Sequence, residues 1–167
     1  MKIKDKLNLG SGIDYKEGWV NVDISNRVYG VSVKLDVKWD LNKFPYPFKD
    51  DTFNEILISY VLEYLDNPIK TLKEVVRIAK NNAKITIFVV HAKSNSAFSQ
   101  INFKNNFTEN SFNGKRPQQY DLGELKLMKT EFIFIHKWKK YLLFKKYLIN
   151  FFNGLYDNIK FELQVIK

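Results

Sequence analysis

Near the start of the chain runs "KLNLGSGIDYKEGWVNVDI", Lys6 to Ile24. It constrains the fold more than any other stretch. Lys6-Leu7-Asn8-Leu9 reads as a short strand closed by Gly10-Ser11-Gly12. A second strand, Trp19 to Ile24, carries Asp23 at its end. Glycines let a backbone turn sharply and approach a ligand closely. In an open α/β sheet, ligands bind beyond the carboxyl ends of the strands, and an acidic residue closing a strand there can accept both hydroxyl hydrogens of a ribose.

The remaining chain supplies more strand ends for that edge. Val31 to Asp36 alternates and reads as a third strand leading to Asp40-Leu41. "DLNKFPYPFKDDTF" reads as a loop, because its prolines and its Lys-Asp-Asp turn do not fit inside a sheet. Asn54 to Ser59 is apolar enough for a buried parallel strand. A helix follows, capped by Asp66 or Asn67 with Pro68 in its first turn. Ile69, Leu72, Val76 and Ala79 share one face, and Asn81-Asn82 is expected to end it. Ala83 to Val90 is another apolar strand, closed by His91. Residues 92–123 read as a long irregular loop, functional or mobile. Glu131 to Ile135 and Phe161 to Ile166 read as two final strands. Strand–helix alternation followed by a strand pair predicts a mostly parallel α/β sheet. Parallel neighbours need crossovers of about a dozen residues. The connections after Gly12 and Ile24 are shorter, so the helices there are expected to be single turns or missing.

The length of 167 residues fits a single domain over 1–167. There is no cysteine and there are only two histidines, His91 and His136, which leaves no thiolate chemistry and no Cys- or His-rich metal site. Without a signal-peptide pattern or a membrane-length apolar run, the expected location is cytoplasmic. The net charge is +9, yet only Arg27, Arg77 and Arg116 are arginines among 27 basic residues. Nucleic-acid readers lean on arginine for bidentate contacts, so RNA or DNA is not the favoured partner.

At this point the chain resembles the class I, Rossmann-like S-adenosylmethionine-dependent methyltransferases, in their methyltransferase-type-11-like branch. "LNLGSG" resembles their first motif, "VNVDI" their ribose-binding acidic motif, and "DLNKFPYPFKDDTFNEILISYVLEYLDNPIKTLKEVVRIAK" the long central stretch. "ITIFVVH" resembles the fifth strand. The resemblance covers residues 6 to 91 and weakens beyond. It implies a seven-stranded sheet in the order 3-2-1-4-5-7-6 with strand seven antiparallel, and S-adenosyl-L-methionine as cofactor. By position it implies that Gly10 and Gly12 flank the methionine part of the cofactor, with Asn8, Leu9 and Ser11 also among the cofactor-binding residues. Asp23 and Ile24 would take the ribose, Asp40 and Leu41 the adenine, and Ser59 and Tyr60 the neighbourhood of the sulfonium. The chain departs from the pattern at Asn8, which replaces an acidic residue, and at Tyr60 and Tyr64, which replace histidines. A dinucleotide oxidoreductase fits the glycines poorly. Its third glycine would fall on Tyr15, and Asp23 arrives after about 13 positions instead of about 20.

For a general base, His91 has the most suitable intrinsic pKa, and Glu63 and Tyr60 are weaker candidates. Each residue also has a plainer job. Asp40 suits a turn, Glu63 a solvated helix start, His91 a strand edge, and Tyr60 and Tyr64 packing. The expected acceptor is a small molecule or saccharide-type metabolite. The alternatives are an RNA or protein acceptor, or a catalytically inactive cofactor-binding partner subunit. A basic-aromatic insertion at about 137–160 carries six lysines and one aspartate. As a helix it would pack on the core or form a homodimer. A basic-aromatic face would also suit peripheral membrane contact.

Overall fold

The structure, a computed structural model, describes residues 4–134 and 157–167. Its strands are β1 (Lys6–Leu9), β2 (Val20–Asp23), β3 (Arg27–Val28), β4 (Val31–Ser32), β5 (Val37–Lys38), β6 (Phe53–Ser59), β7 (Ala79–Val90), β8 (Leu125–Ile133) and β9 (Asn158–Val165). Its helices are α1 (Pro68–Ile78), α2 (Asn95–Ser99) and α3 (Arg116–Gln119), with a 3-10 turn at Leu62–Tyr64. Seven strands form one sheet in the order β5-β2-β1-β6-β7-β9-β8. Counting β5 as the third sheet strand, this is the expected 3-2-1-4-5-7-6. β9, the seventh, is antiparallel to both neighbours.

The centre of the sheet is buried because its sequence is continuously apolar. β1 pairs with β6 in parallel, Leu7 opposite Ile56 and Leu9 opposite Ile58, all four fully buried. β9 instead alternates, with Ile159, Phe161, Leu163 and Val165 turned inward. One face of β9 therefore meets the core and the other does not. α1 begins where Asn67 caps it, its side chain accepting from the Lys70 N–H at 2.9 Å with Pro68 following. The helix buries Leu72, Val75, Val76 and Ile78 against the sheet.

Several sequence expectations are corrected here. The third sheet strand is Val37–Lys38, not Val31 to Asp36. Val31–Ser32 pairs instead with Arg27–Val28 as a separate two-stranded hairpin. α1 ends at Ile78, and Ala79 already belongs to β7, opposite Phe53. Asn82 does adopt a left-handed backbone, φ 64°, but inside β7. Residues 92–123 are strapped to the sheet rather than a free loop. Ala92 N–H donates to the Phe107 carbonyl at 2.7 Å, and Phe107, Phe112 and Leu122 join the main core. The sixth strand begins at Leu125, earlier than expected. Most of the 137–160 insertion, with His136 before it, lies outside the described residues. Its end, Asn158 to Lys160, is part of β9, where Lys160 pairs with Glu131 at 3.2 Å and Glu162 at 2.5 Å.

Between β1 and β2 there is no helix, as the short connection requires. An asparagine pair holds the turn instead. Asn8 and Asn21 face each other across β1 and β2, and Asn8 Nδ2 donates to Asn21 Oδ1 at 3.0 Å and to the Asp14 carbonyl at 2.8 Å. Asn21 also accepts from Lys16 N–H at 2.9 Å and donates to the carbonyls of Lys16 and Trp19. Both asparagines are buried, and the network gives their amides the partners that burial demands.

The loop 44–52 is fixed onto α1 by Arg77. The guanidinium donates to Glu74, to Asp50 at 2.6 Å, and to the carbonyls of Phe48 and Tyr46. Tyr46 then donates its hydroxyl to the Leu41 carbonyl at 3.0 Å. Leu41 is thereby held against the sheet edge. Among the described residues no helix is long and apolar enough to cross a membrane.

Candidate functional site

Beyond the ends of β1, β2, β5 and β6 lies a cleft of about 340 Å³. Gly10, Gly12, Asp23, Ile24, Asp40, Leu41 and Tyr60 line it, as expected from sequence. Val28, Trp39, Asn42, Val61, Tyr64 and Leu65 complete the wall. A larger cavity of about 440 Å³ between α1 and residues 104–122 contains none of these strand ends. The smaller cleft is the better candidate, because in open α/β sheets the ligand sits where the carboxyl ends converge.

The glycine loop is built around Val22 and Asp23. Gly10 N–H donates to the Val22 carbonyl at 2.8 Å and Ser11 N–H to the same oxygen at 2.9 Å. Gly12 N–H donates to Asp23 Oδ2 at 2.8 Å, and Ser25 N–H to Oδ1 at 3.3 Å. A carboxylate offers about four acceptor sites. Two are occupied by backbone, which leaves capacity facing the cleft. Gly10 has φ 69°, and a Cβ there would stand 2.2 Å from a Val61 methyl. Gly12 has φ 49° with open space where its Cβ would be.

At the other end, Asp40 Oδ1 accepts from Asn42 N–H at 3.0 Å. The Leu41 amide has no acceptor among the described residues. A free N–H beside a carboxylate offers one donor and one acceptor, the pattern that reads an adenine edge. The far wall is the segment Tyr60 to Leu65. Tyr60 has φ 55°, uncommon for a bulky residue, and its N–H is tied to the Phe88 carbonyl at 2.9 Å. Burial, and then the nearby Glu63 carboxyl, push the Tyr60 phenol up from its ordinary value. Tyr60 therefore stays protonated at neutral pH and serves as a hydrogen-bonding group, not as a base.

Six expected site residues do not line the cleft. Asn8 is spent on Asn21, and Leu9 is core. Ser11 is buried, its hydroxyl without a partner among the described residues. Ser59, at the end of β6, stays behind the wall formed by Tyr60 and Val61. His91 is 1% exposed. Its Nδ1 accepts from Lys93 N–H at 3.0 Å and its Nε2 lies 3.1 Å from Glu109 Oε2. Both ring nitrogens are engaged away from the cleft, so His91 is corrected from candidate base to buried brace. Glu63 is also 1% exposed, its Oε1 accepting from Val90 N–H at 2.7 Å. Burial raises its pKa. Glu63 too is a structural residue behind the wall. Of the three candidate catalytic residues, only Tyr60 reaches the cleft. Sequence gave a signal for the missed Val61 and Leu65, which recur at helical spacing beside Tyr60 and Tyr64. It gave none for Val28.

Comparison with known proteins bears on the fold and on the first half of the chain. Residues 10–87 match the family model described as a methyltransferase domain. An uncharacterized protein of Methanocaldococcus jannaschii is 36% identical over 76 residues, which is 45% of this chain and 37% of that relative's length. Among solved structures, an S-adenosylmethionine-dependent methyltransferase from Listeria monocytogenes superposes with a TM-score of 0.63 at 12% identity, covering 99% of this chain and 91% of that one. A Haloferax volcanii methyltransferase, solved with the Trm112 methyltransferase activator, superposes with a TM-score of 0.61 at 15% identity, covering 96% and 81%. At these identities the likeness is one of fold, the Rossmann-like α/β domain that those methyltransferases share. The match to the methyltransferase domain model takes in residues 10–87, just under half of this chain, and the Listeria protein of similar fold is S-adenosylmethionine dependent.

Proposed function

We propose that the chain is an S-adenosylmethionine-dependent methyltransferase acting on a small-molecule or saccharide-type acceptor. The observation that carries this reading is the bond between Gly12 N–H and Asp23 Oδ2 at 2.8 Å. It places a carboxylate with spare acceptor capacity beside a glycine with open space in front of it. Asp23 would hold the ribose hydroxyls, Asp40 and the Leu41 amide the adenine edge, and Gly10 and Gly12 the methionine end. When bound, the cofactor supplies an electrophilic methyl group on a sulfonium, already a good leaving group.

The chain's own residues then have a limited task. They hold the acceptor in attacking geometry, which is worth up to roughly 7–11 kcal/mol of barrier when alignment is good. With His91 and Glu63 enclosed, a proton lost by the acceptor passes to solvent. Among the described residues the cleft wall has no lysine, arginine or histidine, and the charged side chains there are Asp23 and Asp40. That lining disfavours a phosphate-rich RNA acceptor.

A second reading, a partner subunit that binds cofactor without turnover, draws on the exposed Phe98 and Ile101, 73% and 97% accessible. The related Haloferax methyltransferase that was solved with an activator lends it a precedent. The test is calorimetric titration with S-adenosylmethionine and S-adenosylhomocysteine, with NAD in parallel. Wild type is expected to bind the first two, and Asp23→Ala to lose roughly 10-fold or more, as deleting a charged hydrogen-bond acceptor does. Absence of binding by the wild type would refute the proposal. Binding with turnover only after a second chain is added would favour the partner-subunit reading.

A further inference from the structure

The β3–β4 hairpin is absorbed neither by the sheet nor by the cofactor contacts. Val28 pairs with Val31, so Tyr29 and Gly30 form a two-residue turn, both with positive φ, 49° and 79°. Such turns favour asparagine or glycine at both positions. A tyrosine there is locally unfavourable, and its ring is 94% exposed, so neither turn geometry nor packing accounts for it. Strain of this kind concentrates where a side chain is held out for a ligand.

The hairpin is also in the right place. Val28 and the preceding Ile24 both line the cleft. Tyr29 follows Val28 directly, at the edge of the cleft that Tyr64 also lines. Tyr60 and Tyr64 are 39% and 38% exposed, and each is backed by a second ring, Phe88 and Phe103 respectively. Tyr60 and Tyr64 thus line the cleft and Tyr29 stands next to its Val28, and among the described residues that line it there is no lysine, arginine or histidine. Phenol rings offer apolar faces together with hydroxyls that both donate and accept.

We infer that Tyr29, Tyr60 and Tyr64 are the acceptor-binding rim of this site, and that they take an uncharged, hydroxyl-bearing ring such as a pyranose, with the hairpin closing over it. This rests on the methyltransferase reading above and adds a substrate class and a specificity-determining residue, Tyr29. An anionic acceptor would find no lysine, arginine or histidine among the described residues that line the cleft. A polyhydroxylated ring would lay its C–H face on a tyrosine and exchange hydrogen bonds with the neighbouring phenols.

The experiment uses the full chain saturated with S-adenosylhomocysteine. Saturation-transfer NMR is recorded with an equimolar set of methyl glycosides of glucose, galactose, mannose and xylose, and with adenosine monophosphate as anionic control. Transfer to pyranose ring protons is expected in the wild type and not to the control. Tyr29→Asn suits the turn better, so the hairpin is kept while the ring is removed. Its transfer is expected to fall at least fivefold, with S-adenosylhomocysteine affinity within twofold of wild type and no loss of thermal stability. No transfer to any glycoside with the cofactor product bound, or equal transfer in Tyr29→Asn, overturns the inference and leaves the methyltransferase reading intact. Failure of S-adenosylhomocysteine itself to bind removes both.

Discussion

Gly10→Ala puts a single methyl group where the loop has no room. The new Cβ would lie 2.2 Å from Val61 Cγ2 and 3.2 Å from Cγ1. Ordinary carbon contacts are about 3.5–4.0 Å, so Val61 would have to retreat by roughly an ångström. Overpacking of this kind costs typically about 1–3 kcal/mol. The backbone adds its own penalty, since φ is 69° and an L side chain there costs about 1–2 kcal/mol. A total near 3 kcal/mol corresponds to a fall in Tm of roughly 6–12 °C for a domain of this size. Val61 also lines the cleft, so its displacement is expected to weaken S-adenosylhomocysteine binding as well. The double variant Gly10→Ala/Val61→Ala separates the two terms. It removes the clash and leaves the backbone penalty, so it should be more stable than the sum of the single changes by about 1–3 kcal/mol. Calorimetric unfolding of the four proteins measures this. A Gly10→Ala protein that melts within 1 °C of wild type, or strictly additive changes, would refute the close approach of the glycine loop to Val61.

Three further outcomes are expected. Glu63 has its pKa raised by burial, so the stability linked to its protonated form is fully present below its ordinary value of 4.5 and lost as pH rises through the folded value. Glu63→Gln should remove that slope, and parallel pH–stability curves for the two proteins would disprove it. Arg77→Lys replaces a planar fork by a point charge and should lose several of its bonds to Glu74, Asp50, Phe48 and Tyr46. A cost of about 1–3 kcal/mol in urea unfolding is expected, and an unchanged midpoint would count against the clamp. Asn21→Ala should orphan Asn8 and loosen the glycine loop, costing about 1–3 kcal/mol. Retention of both wild-type stability and cofactor affinity would show that the asparagine pair is dispensable.

The strands that carry the glycine-loop end of the cleft were legible because their signals are local. Gly10, Gly12 and Asp23 lie within one short stretch, and Asn67-Pro68 marks the start of α1 by chemistry that needs no tertiary partner. The errors fall where long-range contacts decide. Val31 to Asp36 has the alternation of a strand, yet the Tyr29-Gly30 turn folds its first residues back on Arg27 and Val28, and Tyr-Gly is a weak turn signal. Asn81-Asn82 suits a helix end, yet pairing of Ala79 with Phe53 draws the chain into the sheet first. His91 and Glu63 sit beside strand ends where ligands gather. Their side chains are claimed by Glu109 and by the Val90 amide, partners 18 and 27 residues distant. Sequence shows that a polar residue is at an edge. It does not show which way that residue turns.

The asparagine pair between β1 and β2 has a consequence for how the site comes into being. The Asn8–Asn21 and Gly12–Asp23 bonds span 13 and 11 residues. The opposite wall hangs on Asn105, whose amide reaches the Leu62 and Leu65 carbonyls across 43 and 40 residues. Closing a short loop is cheaper and faster than closing a long one. The glycine-loop end of the cleft can therefore assemble early, from a contiguous piece of chain, while the tyrosine wall waits for the second half of the sheet. A ligand of the cleft that is present during folding would meet one wall before the other exists.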